Sequence, residues 1–117
     1  MAVIRALRAE GEPLLLAGFS FGGYVAAEAS RRVASGNASA QQLVLVAPAV
    51  VNFAVGEVPA GTLVFHGEAD EVVPLTAALD WARPQHQPIT VLPGVGHFFH
   101  GQLALLKQLL LRSLASS

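Results

Sequence analysis

Cysteine is absent from this 117-residue chain, which removes disulfides and thiol chemistry from consideration. Charge is scarce as well: 13% of the residues are charged, and 7 Lys and Arg stand against 8 Asp and Glu for a formal net charge of -1. The cations are scattered and form no basic stripe that could displace counterions from a phosphate backbone, so nucleic acid is not an expected partner. Long hydrophobic runs are missing too. The longest apolar stretch, Leu14 to Ala27, is shorter than a membrane span and is interrupted by glycines and a serine, so no membrane partner is expected. The opening residues, MAVIRALRAEGEP, carry charges where a secretory leader needs an apolar core, and they show no small-residue cleavage pattern. A cytoplasmic location is the expectation. There is no Gly-x-x-x-x-Gly-Lys phosphate loop, no His-Glu-x-x-His pair and no thiolate, and neither a metal nor another cofactor is expected.

What the chain has in abundance is apolar residues, 53% of the total, more than an average globular domain. That content suits a single domain over residues 1–117 whose sheet is buried on both faces, where strands read as continuous Val and Leu runs. Four such runs occur: Leu14 to Gly18, Leu43 to Ala47, Thr62 to His66 and Ile89 to Leu92, each followed by Gly or Pro. Helical spacing is found between them, over Gly22 to Val33, Pro74 to Ala82 and Phe98 to Leu114, and a short amphipathic helix is predicted at residues 2–9, ended by Gly11 and Pro13. Val50 to Gly61 reads as irregular loop. Strands alternating with helices predict an α/β fold: a mostly parallel sheet of about four strands with helices on both faces. In such sheets ligands bind beyond the carboxyl ends of the strands, so the residues just after each strand are the ones to inspect.

After the first strand comes Gly18-Phe19-Ser20-Phe21-Gly22. Glycines two positions before and after a serine permit a sharp strand-to-helix turn that lifts the hydroxyl clear of the sheet, which makes Ser20 the candidate nucleophile. The turn also brings the Phe21 amide into the first turn of a helix, free to donate to a developing oxyanion. After the third strand, His66-Gly67-Glu68-Ala69-Asp70-Glu71 crowds three carboxylates into four positions. One of them could orient a histidine, or all could simply favour the positive end of the helix that follows. After the fourth strand, the glycines of Gly94-Val95-Gly96-His97 let His97 swing over the strand ends as a general base, whereas His100 falls within the predicted helix. His66 and His86 read as structural or solvated. Phe19, Phe21, Phe53, Phe98 and Phe99 lie near strand ends, where they fit either an apolar acyl pocket or the core.

Serine, acid and histidine in that chain order, each just after a strand, resemble the α/β-hydrolase superfamily. AGFSFGGYVAAEAS, LVLVAPAV, LVFHGEADEVVP and LPGVGHFFHG are similar in particular to small, lidless bacterial serine hydrolases near the dienelactone-hydrolase branch. The resemblance implies Ser20 as nucleophile, His97 as base and Asp70, above Glu68 and Glu71, as the acid, and a serine hydrolase acting on an ester or similar acyl substrate. It also implies earlier strands and a second oxyanion amide from a loop after one of them. Before Ser20 this sequence offers one short predicted helix, so the expectation is a partial fold, N-terminal strands absent, whose strand Leu14 to Gly18 is an open edge. An open edge makes a homodimer through that strand an expected mode of association. A catalytically silent half-domain that binds or dimerises is the alternative reading.

Overall fold

The computed structural model describes residues 4–7, 14–35 and 41–115. One sheet runs through it in the order β1 (Ile4–Leu7), β2 (Leu14–Phe19), β3 (Gln41–Val46), β4 (Leu63–Gly67), β5 (Thr90–Leu92). Strands β2 to β5 are parallel, in register from Leu16 opposite Leu43 to Gly67 opposite Leu92. Helix α1 (Phe21–Ser35) links β2 to β3, α2 (Leu75–Ala82) links β4 to β5, and α3 (Leu103–Ala115) follows β5.

The four parallel strands lie where the apolar runs placed them. The first element does not agree with expectation: Ile4–Leu7 is a strand, antiparallel to β2 with Ile4 opposite Gly18 and Leu7 opposite Leu15. Four residues are too few for helical and strand spacing to be told apart, and the outer N–H and C=O groups of β2 need a partner. As a result β2 lies inside the sheet, and β1 covers the edge expected at Leu14 to Gly18 over Leu15 to Gly18. Gly11 and Pro13 lie outside the described residues.

Alternation along the strands splits the core between the two faces. Leu16, Leu43, Leu45 and Val64 point to one face and pack with Ala26 of α1 and Trp81 of α2. Val46 and Leu92 point to the other, where Ala47, Val95 and Phe99 are joined by Leu106 and Leu109 of α3. Residues 47–62 connect β3 to β4 without a helix, as expected, yet they are pinned: Trp81 Nε1 donates to the Val55 carbonyl (2.7 Å), and the Val58 amide donates to Gln85 Oε1 (2.9 Å).

All three helix starts differ from expectation, α1 by a single residue, at Phe21 instead of Gly22. Pro74 caps α2 from outside with φ -56° and ψ 143°, one residue earlier than its predicted role. Helix α3 begins at Leu103 instead of Phe98, because Phe99 (φ 56°) and Gly101 (φ 75°) adopt left-handed conformations that a continuing helix does not allow. His100 therefore sits in a turn, and Phe99 is a core residue, 1% exposed, not part of a pocket wall. Among the described residues no helix is long and apolar enough to cross a membrane.

Candidate active site

Ser20 occupies the single residue between the end of β2 and the start of α1, with φ 57°. A non-glycine residue in this region is strained by about 1–2 kcal/mol, and surrounding backbone bonds hold it there. Its amide donates to the Val46 carbonyl (2.9 Å), and its carbonyl accepts from the amides of Gly23 (2.9 Å) and Ala49 (3.3 Å). The turn is tight enough that a Cβ on Gly18 would lie 2.0 Å from the Gly22 carbonyl oxygen, which is the physical reason for the first glycine of the motif. Phe21 opens α1, so its amide belongs to the first turn, where no carbonyl of the same helix can accept from it.

His97 reaches Ser20 from the far end of the chain. Its Nε2 is 3.0 Å from Ser20 Oγ, and its Nδ1 is 2.7 Å from Asp70 Oδ2. The carboxylate can only accept, so Nδ1 carries the proton and Nε2 is left to accept from the serine hydroxyl. Asp70 and His97 are both buried, which shields this pair from competing water.

The three carboxylates after β4 take three separate places. Asp70 Oδ1 accepts from the amides of Val72 (2.8 Å) and Val73 (2.7 Å), so one carboxylate oxygen organises its own loop while the other holds His97. Glu68 accepts from the Gly94 amide (2.8 Å) and ties this loop to the one bearing His97. Glu71 is exposed and lines a cleft. The alternative helix-end role is not taken up, since α2 has no side-chain cap and no acidic residue in its first turn.

The acid loop and the histidine loop are joined at their bases. The Glu68 amide donates to the Leu92 carbonyl (3.0 Å) and the Ala69 amide to the Val95 carbonyl (2.9 Å), and a Cβ on Gly67 would lie 2.1 Å from that same Val95 oxygen. Between them is a cleft of about 220 Å³, lined by Ala69, Val72, Gly96, His97 and Phe98 with Glu71 and His100. Two groups of aromatic rings include the chain neighbours of Ser20, Phe19 and Phe21. Phe98 packs edge-on against His97 at 4.9 Å between centroids, with Phe19 5.2 Å from the same imidazole. In the second group Phe21, 44% exposed, meets Phe53 at 4.9 Å, and Phe53 stacks on Tyr24 at 5.1 Å.

One residue near this site was not singled out by the sequence. His66, read as structural or solvated, is fully buried in β4, with Nε2 2.7 Å from the Val73 carbonyl oxygen and 3.5 Å from Asp70 Oδ2. Its position four residues before Asp70, inside an apolar strand, is the signal that could have marked it. His86 is exposed at a helix end, away from these residues. Among the described residues no group of three or more His, Asp or Glu side chains is placed to hold a metal ion.

No family model matches the sequence, and no curated protein does. Solved structures do match. An α/β serine hydrolase homologue from Coxiella burnetii is 34% identical with a TM-score of 0.74, over 90% of this chain and 50% of that one. An α/β serine hydrolase without a lid from Xanthomonas campestris is 34% identical with a TM-score of 0.75, over 92% of this chain and 49% of that one. A protein of unknown function from Agrobacterium tumefaciens, 24% identical with a TM-score of 0.68, shares the fold. The chain thus spans about half the length of the first two structures.

Proposed function

Because this chain belongs to the α/β-hydrolase superfamily and spans about half the length of its solved relatives, we propose that it is a serine hydrolase cleaving an ester or similar acyl compound. The observation that carries this reading is the unbroken run of hydrogen bonds from Ser20 through His97 to Asp70, built from three separate loops.

In this reading Ser20 Oγ attacks the substrate carbonyl as His97 Nε2 takes the hydroxyl proton. The negative charge that develops on the carbonyl oxygen is met by the Phe21 amide. His97 then returns the proton to the departing alcohol, leaving an acyl-serine. Water, deprotonated by the same imidazole, attacks the acyl-serine and releases the acid and the free hydroxyl. Asp70 stays ionised throughout; it fixes the Nδ1–H tautomer and stabilises the transient imidazolium.

The surroundings favour an uncharged substrate. Among the described residues no lysine or arginine lines the cleft or joins the ring clusters to neutralise a substrate carboxylate or phosphate. Phe21 and Phe53 in one ring group and Phe98 in the other offer apolar surface to the acyl group and the leaving group.

A fluorophosphonate probe tests the reading. The expected result is one adduct, on Ser20, and none in Ser20→Ala; turnover of short-chain p-nitrophenyl esters is lost in the same variant. A folded chain with no adduct on Ser20 overturns the proposal. The second reading, a catalytically silent module, draws on the half-length match, and ester turnover that depends on Ser20 would remove it.

A further inference from the structure

We infer that His66 is a positioning residue: its buried Nε2–H holds the loop that aims the Asp70 carboxylate at His97. The inference rests on the roles proposed above for Ser20, His97 and Asp70.

His66 is fully buried, and the two groups nearest its Nε2 are the Val73 carbonyl oxygen at 2.7 Å and Asp70 Oδ2 at 3.5 Å. Both can only accept, so the ring proton resides on Nε2. The other nitrogen, Nδ1, has no hydrogen-bond partner among the described residues. An imidazole therefore leaves a buried acceptor unpaired at a position where an aliphatic side chain would leave none. What it supplies, and an aliphatic chain would not, is an N–H at the far end of the ring.

That N–H has a specific place in the path to the site. It fixes the Val73 carbonyl, while the Val73 amide donates to Asp70 Oδ1 at 2.7 Å with the Val72 amide beside it at 2.8 Å. Holding Oδ1 at two points sets the rotation of the carboxylate, and that rotation places Oδ2 2.7 Å from His97 Nδ1. The 3.5 Å approach to Oδ2 is too long for a strong hydrogen bond, but it sets the positive end of an N–H dipole beside the charged oxygen. His66 acts through Asp70.

Three substitutions separate this role from simple packing. His66→Gln can present an amide N–H as many bonds from Cα as Nε2; His66→Asn presents one only at the depth of Nδ1; His66→Leu presents none. The expected result is that His66→Leu and His66→Asn lower kcat for p-nitrophenyl butyrate by about 10- to 100-fold with KM little changed, the scale of a small misplacement of reacting groups. His66→Gln should retain kcat within about threefold. The low-field proton resonance of the His97 Nδ1–H should move upfield or broaden in His66→Leu and His66→Asn and persist in His66→Gln. Equal kcat and an unchanged resonance in all three folded variants overturn the inference, as does an activity loss that merely follows the folded fraction. If His66→Leu does not fold, the contrast between Gln and Asn decides. If none of the three folds, His66 is a packing residue and the inference fails. Should the unsubstituted chain take no fluorophosphonate label, the hydrolase reading fails, whereas the His97 resonance still reports whether His66 positions Asp70.

Discussion

Placing a methyl group on Gly18 probes how the chain presents Ser20. A Cβ there would lie 2.0 Å from the Gly22 carbonyl oxygen, 2.3 Å from its carbon and 2.7 Å from the Gly23 nitrogen. All three are backbone atoms of the first turn of α1, so no side-chain rotation relieves the overlap. The nearest contact is about 1.4 Å short of ordinary van der Waals separation, and the start of the helix must move off β2 by a distance of that order. Ser20 sits between the two elements. Its 3.0 Å contact with His97 Nε2 leaves hydrogen-bonding range after roughly half an ångström of travel. Misplacement on the ångström scale costs about 100-fold in rate. Overpacking of this kind also costs about 1–3 kcal/mol, which for a domain of this size lowers Tm by about 5–15 °C. The control is Gly56→Ala, where a Cβ would meet only the guanidinium tip of Arg31, at 3.1 Å, and the tip can move aside. Thermal unfolding by fluorescence and the rate of fluorophosphonate labelling give the two readouts. If Gly18→Ala melts and labels like the unsubstituted chain, the steric account of the turn is wrong.

Two further outcomes follow from the same geometry. In Asp70→Asn the amides of Val72 and Val73 still demand an acceptor at the Oδ1 position, so the new NH2 group faces His97 Nδ1 and forces the ring proton onto Nε2, against Ser20. Ester turnover should fall by about 1,000- to 10,000-fold while circular dichroism stays unchanged, and a loss smaller than tenfold would count against the Asp70 role. Ser20→Gly removes both the hydroxyl and the cost of holding a side chain at φ 57°, so urea unfolding should find it about 1 kcal/mol more stable than Ser20→Ala. Equal stability of the two variants would show that no strain is stored there.

The parts of this structure legible in the sequence are those where one residue type answers one steric need. The glycine-flanked serine marks a turn that only glycine at position 18 permits, and the runs from Leu14, Leu43, Thr62 and Ile89 mark the four parallel strands, the last of them an edge strand with Thr90 and Val91 exposed. His97 was separable from His100 because it follows the flexible glycines, and the two do lie apart: one bonds Ser20, the other sits in an exposed turn. The start of α3 is not legible because Phe99 and Leu103 keep helical spacing across a break set by backbone dihedrals, which periodicity does not register. The strand Ile4–Leu7 is not legible because an element so short is decided by its neighbour's free hydrogen-bonding groups. The sorting of Glu68, Asp70 and Glu71 depends on which carboxylate oxygen meets which amide. That information lies in the fold of two loops together, and no spacing rule within one loop contains it.

The close seating of Gly67 against Val95 has a bearing on how the site comes into being. Since the two loops are bonded at their bases, carboxylate and imidazole are held as a pair within a span of 27 residues, whereas the hydroxyl is 77 residues from the ring it meets. Closing the shorter span costs less chain entropy than closing the longer one, so the acid and the base are the more cheaply joined members of the three. Anyone transplanting this chemistry to another scaffold would have to move the span from β4 through His97 as a single cassette, and could leave the serine turn where it stands.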